Sequence, residues 1–338
     1  MNDSASAALR LTAPQPSTAQ QRSSPRRSYQ GYIYIASATV FWGISATLGR
    51  AAFTARLLPS SGISKVDPLI LSQCRTTFSF LMVAAWLVPR RGWTQMRLPA
   101  ADLWRVFALG LAGVAASNYF YYLAIQRTNV ATAIILQYTA PIWVLLYMVI
   151  RGAERLTTAK IASVFLAISG IALVIGVFGP GKLQLDPLGV TAALIAAFSF
   201  AFYNVSGHYL LARYDRWMVL LYTTMAASLF WMIVNPPGKI LAAHYSIAAW
   251  LFLLMFSLLS VLVPFAFYFA GLEHLEPSKA IIVSCLEPVF SILIAATALK
   301  EVVRPLQGLG ILMVLCAILV VQGTVSGRRD QRATGPVD

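Results

Sequence analysis

Two charged side chains lie deep inside apolar stretches of the chain. Glu287 lies roughly 16 Å along its stretch at 1.5 Å per residue, and Arg75 lies roughly 10 Å along another. An ionisable group at the centre of a membrane helix costs at least about 2.5–3.5 kcal/mol, so each needs a reason to be there. Glu287 suits a carboxylate that binds a substrate or exchanges a proton; a protonated acid in a hydrogen bond between helices is the alternative. Arg75 suits a ligand for a substrate carboxylate or a partner for Glu287, unless its long side chain reaches the outer surface.

Small and polar residues share the helix face of Glu287. At the spacing i, i+4, i+7 and i+11, this face consists of Ala280, Ser284, Glu287 and Ser291. Gln137 lies on the matching face of an earlier stretch. Pro141 and Pro288 follow in these two helices, where a proline kinks the helix and frees backbone carbonyls. We therefore predict a polar cavity between the two helices, with Gln137, Ser284 and Glu287 as substrate-binding residues.

Polar residues one helical turn apart in two other stretches extend this set. Asn118 and Tyr122 lie in the third apolar stretch, and Tyr203 lies in the sixth, one turn after Ser199. Asn118 has no reason to face lipid, because its amide would lose its hydrogen bonds there. We predict that Asn118, Tyr122 and Tyr203 contact the substrate.

Aromatic residues near the ends of two stretches suggest gates. Tyr121 lies near one end of the third stretch, and Phe267 and Tyr268 lie near one end of the eighth. We predict that Tyr121, Phe267 and Tyr268 close the pathway alternately. Interfacial aromatic belts explain Tyr121 and Tyr268 equally well. Pro264 is predicted to kink the eighth helix.

Composition places the chain in a membrane. It is 58% hydrophobic and 11% charged, where soluble domains have about 45–50% and about 25%. Several apolar stretches exceed the roughly 18 residues that cross a bilayer. We predict an all-α polytopic membrane protein. Its cysteines lie inside apolar stretches, its histidines form no ligand cluster, and no nucleotide-binding motif occurs. We therefore expect no metal, no cofactor and no enzymatic activity.

Turn residues divide the apolar sequence into spans joined by short connections. The ten predicted spans are 31–53, 68–89, 103–126, 128–150, 157–177, 188–210, 217–236, 249–271, 276–298 and 305–325. Lys and Arg are more numerous in the loops that lie on the side of the N-terminus, so both termini are predicted to be cytoplasmic. The net charge of +14 then reflects topology, and we expect no nucleic-acid partner.

The chain contains an internal repeat. Segments 128–176 and 275–323 align without a gap, with Pro141 on Pro288 and Glu154 on Glu301, each pair 147 residues apart. Because five spans per copy is an odd number, the second copy must be inverted, as in many secondary transporters with a central substrate site. The predicted regions are a disordered tail (1–30), a first five-helix repeat (31–177), a second five-helix repeat (188–325) and a C-terminal tail (326–338).

These features resemble the EamA family of the drug/metabolite transporter superfamily. The resemblance covers about 31–325 and rests on FWGISATLGR (with Trp42, Gly43 and Arg50), Arg75, and the segments ATAIILQYTAPIWVLL…GAERLT and SKAIIVSCLEPVFSIL…LKEVV. The sequence LKEVVRP departs from the family at the Glu301 corner, and the end of the sixth helix matches loosely. The resemblance implies a 5+5 inverted-repeat carrier with a central cavity bounded mainly by helices 1, 3, 4, 6, 8 and 9, with Trp42 among its substrate-binding residues.

We therefore predict a secondary transporter of the inner membrane that exports small metabolites, with amino acids or their derivatives as substrates. Its expected partners are a small-molecule substrate, the lipid bilayer and a coupling proton, for which Glu287 is the deep candidate. A facilitator that only equilibrates its substrate, or an importer, is the alternative. An intramembrane enzyme, a channel and a non-transporting scaffold are further alternatives.

Overall fold

The structure is a computed structural model that describes residues 25–53, 66–177, 185–298 and 302–323. The described residues form helices with short connections and no β-strand. The long helices are α1 (Pro25–Phe53), α2 (Pro68–Arg91), α3 (Ala100–Arg127), α4 (Val130–Ile150), α5 (Thr158–Val174), α6 (Pro187–Leu211), α7 (Arg216–Val234), α8 (Ile247–Leu272), α9 (Pro277–Ala298) and α10 (Pro305–Gly323). A short 3-10 turn (Trp93–Met96) and a short helix (Pro237–Ala242) complete them.

Within these described ranges, nine helices are long and apolar enough to cross a membrane, judged by length and composition. The predicted all-α polytopic membrane fold is thus confirmed. The predicted fifth span is the shorter helix α5, with 17 residues. Gly176 has a φ of +74°, a conformation that ends helices and that glycine adopts without strain. The count of ten spans remains a prediction.

Helix α1 begins at Pro25, earlier than the predicted boundary at residue 31. Hydropathy places a boundary where the apolar residues start, whereas α1 continues through the polar residues Ser28–Gln30. The rest of the predicted tail, 1–24, and the predicted tail 326–338 lie outside the described residues.

Proline and aspartate determine where several helices begin. Helices α2, α6, α9 and α10 each start with proline, whose fixed φ suits the first helical turn. Before α2, a carboxylate oxygen of Asp67 accepts a hydrogen bond from the Leu69 N–H at 2.8 Å. Before α6, Asp186 accepts from the Gly189 N–H at 2.9 Å. These caps satisfy donors that would otherwise be unpaired at a helix end.

The closest helix pairs join α1–α5 to α6–α10. Helix α5 packs along α10, α3 along α6, α2 along α7, and α4 against α6 and α9; α1 packs against both α8 and α9. Exchanging every helix with the one five positions away maps each of these pairs onto another of them, or onto itself. The contact pattern is that expected of a pseudo-twofold arrangement.

Helices α4 and α9 are each interrupted near their middle. Their segments are Val130–Gln137 and Ala140–Ile150 in α4, and Pro277–Ser284 and Leu286–Ala298 in α9. The interruptions include Tyr138 and Cys285, which are 147 residues apart. Pro141 and Pro288 each follow three residues later. Because proline has no N–H and its ring clashes with the carbonyl four residues earlier, each break lies where its proline requires it.

Two other helices contain a wider helical turn. A π-helical segment spans Leu109–Ala115 in α3 and Leu258–Leu262 in α8. Asn118 follows the first segment, and Pro264, the predicted kink, follows the second. Segments of this kind occur frequently at functional sites.

Glycines allow α5 and α10 to approach closely. A Cβ added at Gly310 would lie 2.5 Å from the carbonyl oxygen of Gly170, whereas one added at Gly308 would meet nothing within 4 Å. Only glycine at position 310 therefore permits this backbone contact. A Cβ at Gly110 would likewise lie 2.4 Å from the carbonyl oxygen of Thr223, where α3 meets α7.

Gly310→Ala is expected to destabilise the protein by about 1–3 kcal/mol, because the added methyl group forces two packed backbones apart. Thermal unfolding in detergent measures the effect. Gly308→Ala is the matched control: it adds the same methyl group to the same helix in open space, so its midpoint should stay the same or rise slightly. Equal midpoints for the two variants would contradict close packing at Gly310.

Candidate functional site

A carboxylate and a phenol meet at the two helix breaks. Glu287 is half-buried in the first turn of the second segment of α9. Its Oε2 accepts a hydrogen bond from the Tyr138 hydroxyl in the break of α4, at 3.0 Å. The N-terminus of a helical segment also favours a negative charge. The breaks therefore place an acid in the middle of the bundle and give it a donor from another helix.

An arginine and an asparagine form a second polar pair nearby. Arg75 on α2 donates from Nη2 to Oδ1 of Asn118 on α3. The Asn118 amide in turn donates to the Val114 carbonyl at 2.7 Å, which fixes its orientation. The buried Nε of Arg75 has no hydrogen-bond partner in the described part of the chain. A guanidinium with an unused donor suits a planar anion such as a carboxylate.

These two pairs belong to one electrostatic neighbourhood. The Arg75 guanidinium interacts through space with the Glu287 carboxylate, although each is hydrogen-bonded to a different residue. Tyr121 on α3 is also close enough to interact with Glu287 and Tyr138. We call Arg75, Asn118, Tyr121, Tyr138 and Glu287 the charge cluster. It joins residues from α2, α3, α4 and α9, and it contains an acid and a base that a zwitterion could bridge.

Aromatic rings from α1, α6 and α8 form a second group. The Trp42 ring lies 5.6 Å from Phe265 and 5.2 Å from Tyr268, and the Tyr203 ring lies 5.5 Å from Phe265. We call Trp42, Tyr203, Phe265 and Tyr268 the aromatic cluster. The Tyr268 hydroxyl donates to Oδ1 of Asn204. The buried Tyr203 hydroxyl has no hydrogen-bond partner among the described residues.

The break in α9 lies between the two clusters. Cys285 is fully buried and interacts electrostatically with Glu287 on one side and with Tyr268 on the other. Ser284, also buried, donates to the carbonyl three residues earlier at 2.7 Å and lies near the Tyr268 hydroxyl. Movement of this break would therefore affect both clusters.

Three predicted residues lie elsewhere. The Gln137 amide donates to the Ser117 hydroxyl at 3.4 Å, so it faces α3 rather than Glu287. Tyr122 is half-buried beside Tyr121, with 6.0 Å between ring centroids. Phe267 stacks on a phenylalanine of α1 at 6.0 Å. Their predicted roles in binding and gating remain predictions.

Sequence reasoning missed Tyr138 and Asn204. A helical wheel places Tyr138 about 100° away from the face of Gln137, but the break in α4 changes the direction of the side chains there. Its position three residues before Pro141, like that of Cys285 before Pro288, was the available signal. Asn204 directly follows Tyr203 in the chain, and no pattern of spacing singles it out.

Among the described residues, no group of three or more His, Cys, Asp or Glu could hold a metal ion. The charge cluster instead offers one carboxylate, one guanidinium, one amide and two phenols. Groups of this kind bind polar small molecules and exchange protons with them.

Tyr138→Phe is expected to lower the transport rate about tenfold, because loss of the hydroxyl leaves a partly buried carboxylate without its donor, a penalty of about 1–3 kcal/mol. Initial rates in proteoliposomes measure the effect. Tyr147→Phe, on the segment of α4 that follows the break and exposed on its surface, is the control and should transport normally. Equal transport rates for the two variants would show that the Tyr138 hydroxyl has no role in transport.

A membrane bundle with broken helices and with an acid and an arginine in one polar cluster is typical of a class of protein, the polytopic membrane transporters. Comparison with known proteins identifies the family. The model of the EamA-like transporter family matches residues 29–176 and 187–322. The chain belongs to this family, and it is a transporter.

Relatives agree with this assignment. Salmonella typhimurium "Uncharacterized inner membrane transporter YicL" is 22% identical over 309 residues, covering 90% of this chain and 98% of the relative. Streptantibioticus cattleyicolor "Probable terminal-alkyne amino-acid exporter" is 25% identical over 235 residues, covering 70% and 78%. A protein of known crystal structure shares the fold, with a TM-score of 0.68, 21% identity, and coverage of 86% of this chain and 97% of that one. The protein is a multi-pass membrane protein.

Proposed function

We propose that this transporter is a secondary carrier that exports small zwitterionic metabolites, with amino acids or their derivatives as substrates. The observation that carries the proposal is the charge cluster, in which the Arg75 guanidinium, with its Nε unpaired among the described residues, interacts through space with the Glu287 carboxylate. Arg75 would bind the substrate carboxylate, and Glu287 would bind its ammonium group or a proton. The name of the Streptantibioticus relative supports an amino-acid substrate.

The proposed transport cycle is alternating access between two inverted repeats. The helix pairs that map onto each other, the two breaks 147 residues apart, and the two separate matches to the family model support such repeats. Broken helices near the centre of the bundle are typical of carriers that bind substrate there. The cluster would then face each side of the membrane in turn.

The proposed orientation has both termini in the cytoplasm. The end of the bundle at which α1 begins is here called the N-side. Most basic residues in the described connections and at the helix ends are found there, among them Arg91, Arg155, Arg213 and Arg216. The excess of basic residues supports a cytoplasmic N-side.

Tyr121, Phe267 and Tyr268 are the proposed gating residues. Tyr121 belongs to the charge cluster and Tyr268 to the aromatic cluster, so both can respond to an occupied site. Phe267 would act through its stacking on α1.

Counterflow in proteoliposomes tests the carrier proposal. Vesicles preloaded with a mixture of unlabelled amino acids should accumulate an external labelled amino acid transiently, because a carrier returns loaded faster than empty. A channel gives no such overshoot. A pH gradient is then imposed across the vesicle membrane. A concentrative exporter should build a substrate gradient under this condition, whereas a facilitator should build none. Absence of counterflow with amino acids and their derivatives would overturn the proposed substrate class.

A further inference from the structure

An ionic network, buried except for Glu276, ties the N-side ends of α4, α5 and α9 together. Glu154, in the connection after α4, is buried and pairs with Lys160 of α5, which is also buried. The same carboxylate accepts hydrogen bonds from the Ser278 hydroxyl and, at 3.4 Å, from the Ser278 N–H in the first turn of α9. Lys160 also pairs with Glu276, immediately before α9, at 3.0 Å. We call Glu154, Lys160, Glu276 and Ser278 the N-side latch.

Charge keeps the latch intact at neutral pH. Burial alone would raise the pKa of Glu276, but the ammonium groups of Lys279 and Lys160 outweigh it and lower the pKa from its ordinary value of 4.5. A lowered pKa in the folded protein means that the ionised form is the one that folding stabilises. The contribution of Glu276 is therefore complete above about pH 4.5 and is lost as the pH falls through its lower folded value.

The latch joins the same two helices that carry the site. Tyr138 lies in the break of α4 and Glu287 follows the break of α9, about 15 Å from the start of α9 at 1.5 Å per residue. At the N-side, Glu154 holds the first turn of α9 against the end of α4. This contact would therefore block a substrate path that ran between α4 and α9 from the N-side to the charge cluster.

We propose that the N-side latch is the gate lock of this carrier: it holds the N-side closed, and it must open before the charge cluster faces that side. This inference rests on the proposed alternating-access function. Removing one partner of a buried ion pair destabilises the state that contains the pair. Because the latch is present in the state closed to the N-side, its loss shifts the population toward the state open to the N-side. With the proposed orientation, this is the cytoplasmic, substrate-loading state.

Accessibility of Cys285 tests the latch without any transport measurement. Cys285 is fully buried beside Glu287, and Cys74→Ala and Cys316→Ala leave it as the only one of the three cysteines. A membrane-impermeant maleimide is added to the N-side of membrane vesicles, and its rate of reaction with Cys285 is measured. Ser278→Ala and Glu154→Gln should each raise this rate about tenfold, equivalent to a shift of about 1.4 kcal/mol.

Two further variants make the result decisive. Glu154→Gln with Lys160→Met removes both buried charges, so no buried lysine is left without its buried partner, a loss that destabilises the single variant. The double variant should also raise the rate. Glu273→Gln is the matched control, because it removes a carboxylate at the same end whose partner, Arg216 at 3.5 Å, belongs to the same half of the chain. This control should label like the parent.

Each outcome bears on the proposal. Faster labelling in the latch variants, with the control unchanged, supports the lock. An unchanged rate in the folded double variant, or an equal rise in the control, overturns it. Faster labelling in a protein that shows no counterflow would support the lock and reject the carrier function. Counterflow with unchanged labelling would support the carrier function and reject the lock.

Discussion

Glu287→Gln is expected to abolish uphill export while leaving the protein folded in the membrane. The variant amide keeps the volume of the side chain and can still accept the hydrogen bond from Tyr138, so the α4–α9 contact persists. It cannot take up and release a proton, because an amide does not titrate in this range. Without a titrating group at the site, the proton gradient cannot be coupled to substrate export.

The magnitude follows from the energetics of a single proton. One proton that moves down a gradient of one pH unit releases about 1.4 kcal/mol, enough to sustain a tenfold substrate gradient. Proteoliposomes with an imposed gradient of one pH unit should therefore reach roughly a tenfold ratio with the native protein and no gradient with the variant. Counterflow, which needs no net proton movement, should survive in the variant.

A control removes an exposed carboxylate instead. Glu273→Gln lies outside the membrane-spanning part of α8 and contacts Arg216 rather than the charge cluster, so uphill export should be unchanged. If Glu287→Gln still builds a substrate gradient, Glu287 is not the coupling residue, and the protonated structural acid becomes the better interpretation.

Arg75→Met should weaken substrate binding more than any other single change in the charge cluster. In the proposed site, the Arg75 guanidinium binds the substrate carboxylate through its unused Nε. Loss of the guanidinium would leave that carboxylate unpaired in a partly buried site, which costs about 2–5 kcal/mol. This corresponds to a loss of roughly 30-fold to several thousand-fold in affinity. Arg75→Lys keeps the charge without the planar fork, so it should retain an intermediate affinity.

Substrate analogues separate binding from structural damage. A methyl ester of the substrate lacks the carboxylate, so the native protein should prefer the free acid and Arg75→Met should bind both equally weakly. Concentration dependence of counterflow gives both affinities. Arg91→Met, which removes an arginine paired with Asp215 at 3.0 Å at the end of the bundle, is the control. A preference for the free acid that Arg75→Met retained would show that Arg75 does not bind the carboxylate.

The sequence predicts the helices and their interruptions because both depend on residues close together in the chain. Length and apolarity predict the helices, Pro68 and Pro187 predict helix starts, and Pro141 and Pro288 predict interruptions. The high cost of a buried charge pointed to Arg75 and Glu287 before any fold was known.

The partners of these residues depend on the tertiary structure, and no sequence pattern predicts them. Tyr138 reaches Glu287, 149 residues later in the chain, because α4 and α9 break beside each other. Glu154 was identified only as a marker of the repeat, whereas its contact with Ser278 depends on how α4 docks on α9. In the same way, sequence alone could not show that Gly310 lies in a helix contact and that Gly308 does not.

The π-helical segments in α3 and α8 have a mechanical consequence. Each carries an extra residue per turn, and when such a turn relaxes to ordinary α-helical geometry, the residues beyond it rotate by about 100°. Asn118 and Tyr121 lie beyond the segment in α3, and Phe265 and Tyr268 lie beyond the one in α8. Such a change in α3 or α8 would rotate a whole row of side chains about the helix axis while almost every backbone hydrogen bond is kept. The lining of the substrate path could then change without loss of packing between the helices.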